Sequence, residues 1–252
     1  MVIKVRQTKA GIRHSFRVYY EGKRQFDGSQ TGYSHCPSSW LYNLDESVHL
    51  EGRGKRKGLL RGKVINLIFC IGALVVWFSF TSVLYVILYI ALFFFIATRF
   101  PTVTDLCIVQ DDTGQKVARF HHYVKGMTSY SVIKTGDREY RIYDLSRSHY
   151  QYISIYSGDT QIAQVNKDLH TVNNKDMYML YLLDEQEELA DLFSLFVLYF
   201  DSHNHRNYGE AFVGVKKNWR WTRSKTDRFY DETWLPSHFG WDVAEDSGDY
   251  ED

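Results

Sequence analysis

Asp201, His203 and His205 place a carboxylate and two imidazoles within five residues. These are side-chain types that hold metal ions. Zinc sites draw on three or four well-spaced ligands, and this set follows a long apolar run, so polar residues ending a helix are the better reading. His121 and His122 are adjacent, and on a strand adjacent side chains point to opposite faces. Asp111-Asp112-Thr113-Gly114 reads as a turn rather than a carboxylate pair. The chain has no G-x-S-x-G elbow, no Gly-rich phosphate loop and no H-E-x-x-H. The expectation is a protein without an enzymatic active site, metal or cofactor, and no small-molecule substrate is inferred.

Basic and aromatic residues are the stronger signal. Arg53, Lys55, Arg56, Lys57, Arg61 and Lys63 stand directly before a long apolar stretch, where each cation near anionic lipid contributes ~1 kcal/mol. Two readings stand: a topology signal alone, or a group that gathers anionic headgroups. Lys216, Lys217, Trp219, Arg220, Trp221 and Arg223 interleave cations with indoles, the pairing favoured at a membrane surface. An edge strand packed on the fold explains it as well. Single-stranded nucleic acid uses similar chemistry but is not expected here. These two blocks are the candidate lipid-binding residues. The formal net charge of zero hides an asymmetry, with 13 Lys/Arg against 5 Asp/Glu in residues 1–63 and 8 Asp/Glu with no Lys or Arg in 231–252. The acidic end is a solvated tail, or it folds back on a basic block and competes with lipid.

The apolar stretch runs from Val64 to Ala97, 34 residues without one charged side chain. A run of that kind reads as membrane-spanning. One straight helix would be ~51 Å long, against a hydrocarbon slab of ~30 Å. Two helices of about 17 residues reach ~25 Å each, and Ser79-Phe80-Thr81-Ser82 is the natural turn. The expectation is a helical hairpin, about 64–80 and 81–97. Cations flank both of its ends and none sits in its middle, so both termini and the soluble part belong on the cytoplasmic side of a multi-pass cell-membrane protein. Cys36, Cys70 and Cys107 are too sparse for a disulfide scaffold, as a reducing compartment leads one to expect. No signal peptide is visible at the start.

The elements that must position these residues read mainly as β. Ile12–Tyr20 and Lys23–Phe26 form one hairpin across Glu21-Gly22. Leu106–Gln110, Lys116–Tyr123, Ser129–Lys134, Glu139–Leu145, Tyr152–Tyr156, Thr160–Val165 and Met177–Leu183 follow, with Gly beside Asp or Thr at the turns. Spacing of this kind implies a meander closing into a barrel or sandwich. Aromatics at 16% and balanced charge exclude disorder for most of the chain. Asp184–Asp201 is apolar on every side from Leu189 to Phe200 except at Asp191 and Ser194. A helix apolar all round must be buried all round, as on the axis of a closed barrel; a re-entrant membrane segment is the competitor. Asp184 and Glu187 fit a capping box.

The hairpins IVQDDTGQKVARFHH, YSVIKTGDREYRIYDL and YISIYSGDTQIAQVNKD, with the helix LADLFSLFVLYFD, resemble the tubby C-terminal-domain-like superfamily, which includes the plant LURP-one-related proteins and the phospholipid scramblases. The resemblance implies a closed antiparallel barrel of twelve strands around a central hydrophobic helix, phospholipid contact in some members and no active site. It covers residues 1–35 and 103–210, and the chain divides into barrel residues 1–50 and 103–207, with the helix at 185–201. Residues 51–63 become a polybasic linker, 64–98 an inserted transmembrane hairpin, and 208–252 an aromatic and basic, then acidic, tail. The expected function is a membrane-anchored module binding anionic phospholipid or a protein partner. An adaptor docking a protein through its tail is the alternative, and a phospholipid-moving protein a further one.

Overall fold

One parity of each N-terminal strand is buried: Ile3, Val5 and Gln7 in β1 (Val2–Lys9), and His14, Phe16 and Val18 in β2 (Arg13–Tyr20). A strand with one apolar side lays that side on a core, which pins its register. The computed structural model describes residues 1–9, 13–31, 38–55, 68–69, 71–72, 74–75, 78, 83–99, 102–125, 128–147, 150–168, 175–204 and 231–240.

The chain continues through β3 (Lys23–Thr31), β4 (Ser38–Tyr42) and β5 (Val48–Lys55), then helix α1 (Val83–Arg99). Next come β6 (Thr102–Asp111), β7 (Lys116–Lys125), β8 (Thr128–Thr135) and β9 (Arg138–Arg147). β10 (Tyr150–Ser157), β11 (Thr160–Asp168) and β12 (Met177–Leu182) complete the strands. Each strand pairs antiparallel with its sequence neighbours, and β12 returns to β1 from Val2↔Tyr181 to Arg6↔Met177. The twelve strands thus form a closed barrel, which leaves no sheet edge. Tight turns hold the strands in phase: Gly158, at φ 62°, opens the turn that pairs Ser157 with Thr160.

A 3₁₀ turn (Asp184–Leu189) leads into α2 (Ala190–Asn204). From Phe193 to Leu198 its side chains are fully buried. They meet the barrel on several sides: Phe193 lies edge-on to Tyr140 of β9, and Phe196 edge-on to Phe120 of β7. Leu198 comes so close to β3 that a Cβ on Gly28 would sit 2.8 Å from its Cδ1. Burying each Phe or Leu contributes about 2 kcal/mol, so the helix is the barrel's filling.

Several expectations change. Residues 51–55, including Arg53 and Lys55, belong to β5 and not to a linker, because their backbone pairs with Leu106–Gln110. No capping box forms: Leu183 is the N-cap without a side-chain bond, and Asp184 instead accepts the N-terminal ammonium of Met1 at 2.6 Å. Closing the barrel brings the start of the chain to that carboxylate. The tail contains a helix, α3 (Trp234–Phe239), packed on the outer wall against Tyr181, Val2 and Met179.

The expected membrane spans 64–80 and 81–97 are not found as such. Among the described residues no helix is long and apolar enough to cross a membrane. α1 has 17 residues, ~25 Å of helix against a hydrocarbon slab of ~30 Å. Of the first expected span, Ile68, Phe69, Ile71, Gly72, Leu74, Val75 and Phe78 are described, and they are helical.

Candidate functional site

The barrel has two distinct ends. At one lie the tight turns Glu21-Gly22, Gly136-Asp137 and Gly158-Asp159. At the other lie the strand ends Lys9, Thr31, Lys55, Thr102, Lys125, Arg147 and Asp168, here termed the insert end because the apolar segment joins it. β5 and β6 flank that segment, yet they pair directly from Leu50↔Asp111 to Lys55↔Leu106. The chain therefore leaves the barrel and returns to it at one place.

The insert displays apolar side chains to solvent. Exposure among the large ones runs from 40% at Ile90 to 83% at Phe78, and along α1 Val83, Ile87, Leu88, Leu92 and Phe95 share in it. Its two helical parts touch: Phe69 stacks on Tyr89 at 5.3 Å, and the Tyr89 hydroxyl donates to the Phe69 carbonyl at 3.2 Å. Surface of this kind and extent marks an interaction site.

Of the basic residues expected to bind lipid, Arg53 is exposed but engaged. Its Nε donates to Glu51 Oε1 at 2.7 Å, and Trp40 Nε1 donates to the same oxygen at 2.9 Å. The Arg53 bond holds the Glu51 carboxyl below its usual range, with burial opposing and the Trp40 bond assisting. Lys55 ends β5 opposite Leu106, at the insert end. Arg56, Lys57, Arg61, Lys63, Lys216, Lys217, Trp219, Arg220, Trp221 and Arg223 lie outside the described residues.

The structure assembles a different basic face from the three neighbouring strands β1–β3. Arg6 of β1 stands opposite Arg17 of β2, and Arg17 opposite Asp27 of β3. Arg24 closes on Asp27 with Nε at 3.0 Å, and a hollow of about 470 Å³ lies among Arg13, Arg17 and Arg24, with Asp27 and Glu46 also on its lining. Burial, then the charge of Arg6, pushes the Lys4 ammonium below its ordinary range. Like charges directly opposite each other, as Arg6 and Arg17 are, cost stability, and Asp27 offsets part of that charge. The signal was in the alternation of β1 and β2, whose outward parity is Lys4, Arg6, Arg13 and Arg17.

Inside the insert end the same parity rule buries polar groups. Lys167 and Asp176 are 1% and 2% exposed, with Nζ 3.0 Å from Oδ1 and off-axis for a hydrogen bond. Asp201, in the last turns of α2, accepts from the Tyr178 hydroxyl and the Gln30 amide, with Lys167 Nζ at 4.0 Å. Burial and the neighbouring Asp176 push its carboxyl up to about 7, against the pull of Lys167 and the two donors. Burial, Asp201 and Asp176 likewise push the Tyr178 phenol well up. His14 bonds Gln7 at 2.6 Å, and burial lowers its imidazole range while Asp176 partly restores it. The cluster is sealed from solvent and fixes the end of α2. Asp201 is thus committed to Tyr178 and Gln30, and among the described residues no three His, Cys, Asp or Glu side chains converge as they would on a metal ion.

The turn end carries a second polar group. Asp191 accepts from the Tyr20 hydroxyl at 2.7 Å and pairs with His49 Nε2 at 2.7 Å, while Phe26 stacks on the His49 ring. An open hollow of about 560 Å³ lies beside it, rimmed by the Arg138–Glu188 ion pair. The other histidines divide as their spacing predicts. His122 bonds Ser131 at 3.1 Å, whereas His121 stacks on Tyr123. Asp111 is a turn residue, its Oδ1 accepting from the Thr113 and Gln115 backbones. No protein-family model, curated protein or solved structure matches the chain.

Proposed function

We propose that this protein is a non-enzymatic, membrane-anchored module of tubby-like architecture, held at the cytoplasmic face by its insert and binding anionic phospholipid headgroups there. The observation that carries the proposal is a long uncharged segment with exposed apolar side chains, leaving and rejoining the barrel between two directly paired strands. A segment that starts and ends at one place enters a bilayer and comes back on the same side. The cations of 53–63 set the orientation, and the basic face of β1–β3 supplies groups for headgroups.

The adaptor reading also has an observation behind it. α3 docks on β12 and β1, and the acidic stretch 242–252 follows it in the chain. A stable stoichiometric partner recovered from membranes, and lost on deleting 242–252, would favour that reading.

The test is a topology map of the full chain, with reporters after Ser47, within 79–82 and after Thr104. The first and third should be cytoplasmic and the middle one on the far side. A middle reporter that is also cytoplasmic overturns the spanning hairpin. Loss of the protein from carbonate-washed membranes overturns the anchor altogether.

A further inference from the structure

The outer wall of β7–β10 carries a row of tyrosines that the reading above leaves unused. Tyr123 of β7 pairs with Tyr130 of β8, and the rings stack at 5.3 Å and 12°. Tyr130 meets Tyr143 of β9 at 6.0 Å, and Tyr143 meets Tyr156 of β10 edge-on at 5.9 Å. His121 stacks on Tyr123 from one side at 5.8 Å. Tyr123, Tyr130 and Tyr143 share one register across three strands and so run around the barrel, whereas Tyr156 lies opposite Arg141, one residue from the turn end of β10. Cross-strand aromatic pairs support any sheet, but that role accounts for pairs and not for a continuous band.

Its level on the barrel is the informative fact. Tyr123 pairs with Val103, the second residue of β6. Three residues separate Val103 from Arg99, where α1 ends, and the four chain steps span at most ~14 Å when extended. Barrel strands tilt by 35–45°, which leaves a height of about 10 Å. Headgroup layers are roughly 5–8 Å thick on each side of the hydrocarbon, and tyrosine is enriched at that depth because the ring is apolar and the hydroxyl polar. Cations lie further from the insert end on the same wall, but Glu139 engages them, at 2.8 Å from Lys134 and 3.5 Å from Arg141.

We propose that Tyr123, Tyr130 and Tyr143 form a one-sided aromatic collar that rests in the headgroup layer and leans the barrel onto its β7–β9 wall. The collar rests on the membrane-anchor reading and adds to it the face of the barrel that meets lipid. Its partner is the interfacial layer of any phospholipid bilayer, and contact through ring and hydroxyl is insensitive to salt, unlike contact through the β1–β3 cations.

The test uses the full chain in phosphatidylcholine nanodiscs, with Cys36→Ser and Cys70→Ser; Cys107 is buried, and burial pushes its thiol up, so it does not label. An environment-sensitive fluorophore is placed at Tyr130→Cys, at Phe78→Cys in the insert, and at Asp159→Cys on the turn end. Lipids spin-labelled at the headgroup or along the chain serve as quenchers. The collar predicts headgroup quenching at Tyr130 several-fold above that at Asp159, unchanged by salt, with chain-label quenching at Phe78. Should Tyr130→Cys disturb the barrel, a probe at Tyr143→Cys reads the same row. Quenching at Phe78 without any at the tyrosine positions overturns the collar and leaves the anchor standing. Quenching at neither, with protein free of the discs, removes the anchor and the collar together. A tyrosine probe that responds to a single-stranded oligonucleotide and not to lipid overturns the collar in favour of stacking on bases.

Discussion

Lys167 shows how far a single residue can be read. In QIAQVNKD it shares parity with Ala163 and Val165, and all three are buried, so alternation alone places an ammonium inside the barrel. What alternation could not supply was the partner, since Asp176 follows β11 by a long connection and Asp201 belongs to another element. Removing one member of a buried pair leaves an uncompensated charge, at about 3–5 kcal/mol. Lys167→Met should therefore lower stability strongly at pH 8, and less at pH 5, where Asp201 is neutral. The pH dependence of the parent has a definite sign. Asp201 holds its proton to about pH 7 when folded but releases it near pH ~4 when unfolded. Between those values the native state carries a proton that the unfolded state has lost, so this group's stability contribution falls as pH rises from about 4 to about 7, then levels off. Urea midpoints measured across that range should decline from this cause, and Asp201→Asn should flatten the decline. An Asn variant with the parent's full slope would remove Asp201 as its source.

At the scale of elements, periodicity found the hairpins after residue 105 and the all-round apolar helix, because both patterns are local. It missed β1, whose alternation is interrupted by the inward Gln7, and it misread the start of α2. Asp184 and Glu187 stand at capping-box spacing, yet the nearby N-terminus of Met1 takes Asp184, a contact of the closed barrel that no local pattern contains. The fit of α2 against the wall is testable at Gly28. A methyl there would lie 2.8 Å from Leu198 Cδ1 and 3.1 Å from Phe16 Cβ, and overpacking of this kind costs about 1–3 kcal/mol. Gly28→Ala should lower the melting temperature, and Leu198→Ala added to it should recover part of the methyl's cost relative to Leu198→Ala alone; additive losses would mean that the wall yields elsewhere. α3 gives a second check. Trp234 is 6% exposed and its Nε1 donates to the Gln161 carbonyl at 3.2 Å. Trp234→Ala should undock the tail and speed its proteolysis, while the barrel's β-sheet circular dichroism stays unchanged.

At the scale of the whole molecule, the insert and the barrel are separable in their energetics. The strands on either side of the insert pair through their own backbones from Leu50↔Asp111 to Lys55↔Leu106, and the core is closed by α2 and by β12 on β1. None of those contacts requires residues 56–101. Lys55 pairs with Leu106 and Thr102 lies four residues beyond it, a gap of roughly 14 Å, so about six Gly and Ser residues bridge what 46 residues now join, and loop-closure entropy favours the shorter link. A chain with 56–101 replaced by such a linker should therefore fold in water without detergent, unfold cooperatively in urea, and lose its association with membranes. Three measurements on it carry the argument: far-UV circular dichroism, sedimentation as a monomer, and liposome co-sedimentation at low and high salt. Residual binding to anionic vesicles that salt abolishes would come from the β1–β3 cations, and binding that persists in salt would come from the tyrosine row. A linker variant that aggregates or melts without cooperativity would show that the apolar insert holds the barrel together, and the division of the molecule into anchor and module would fail.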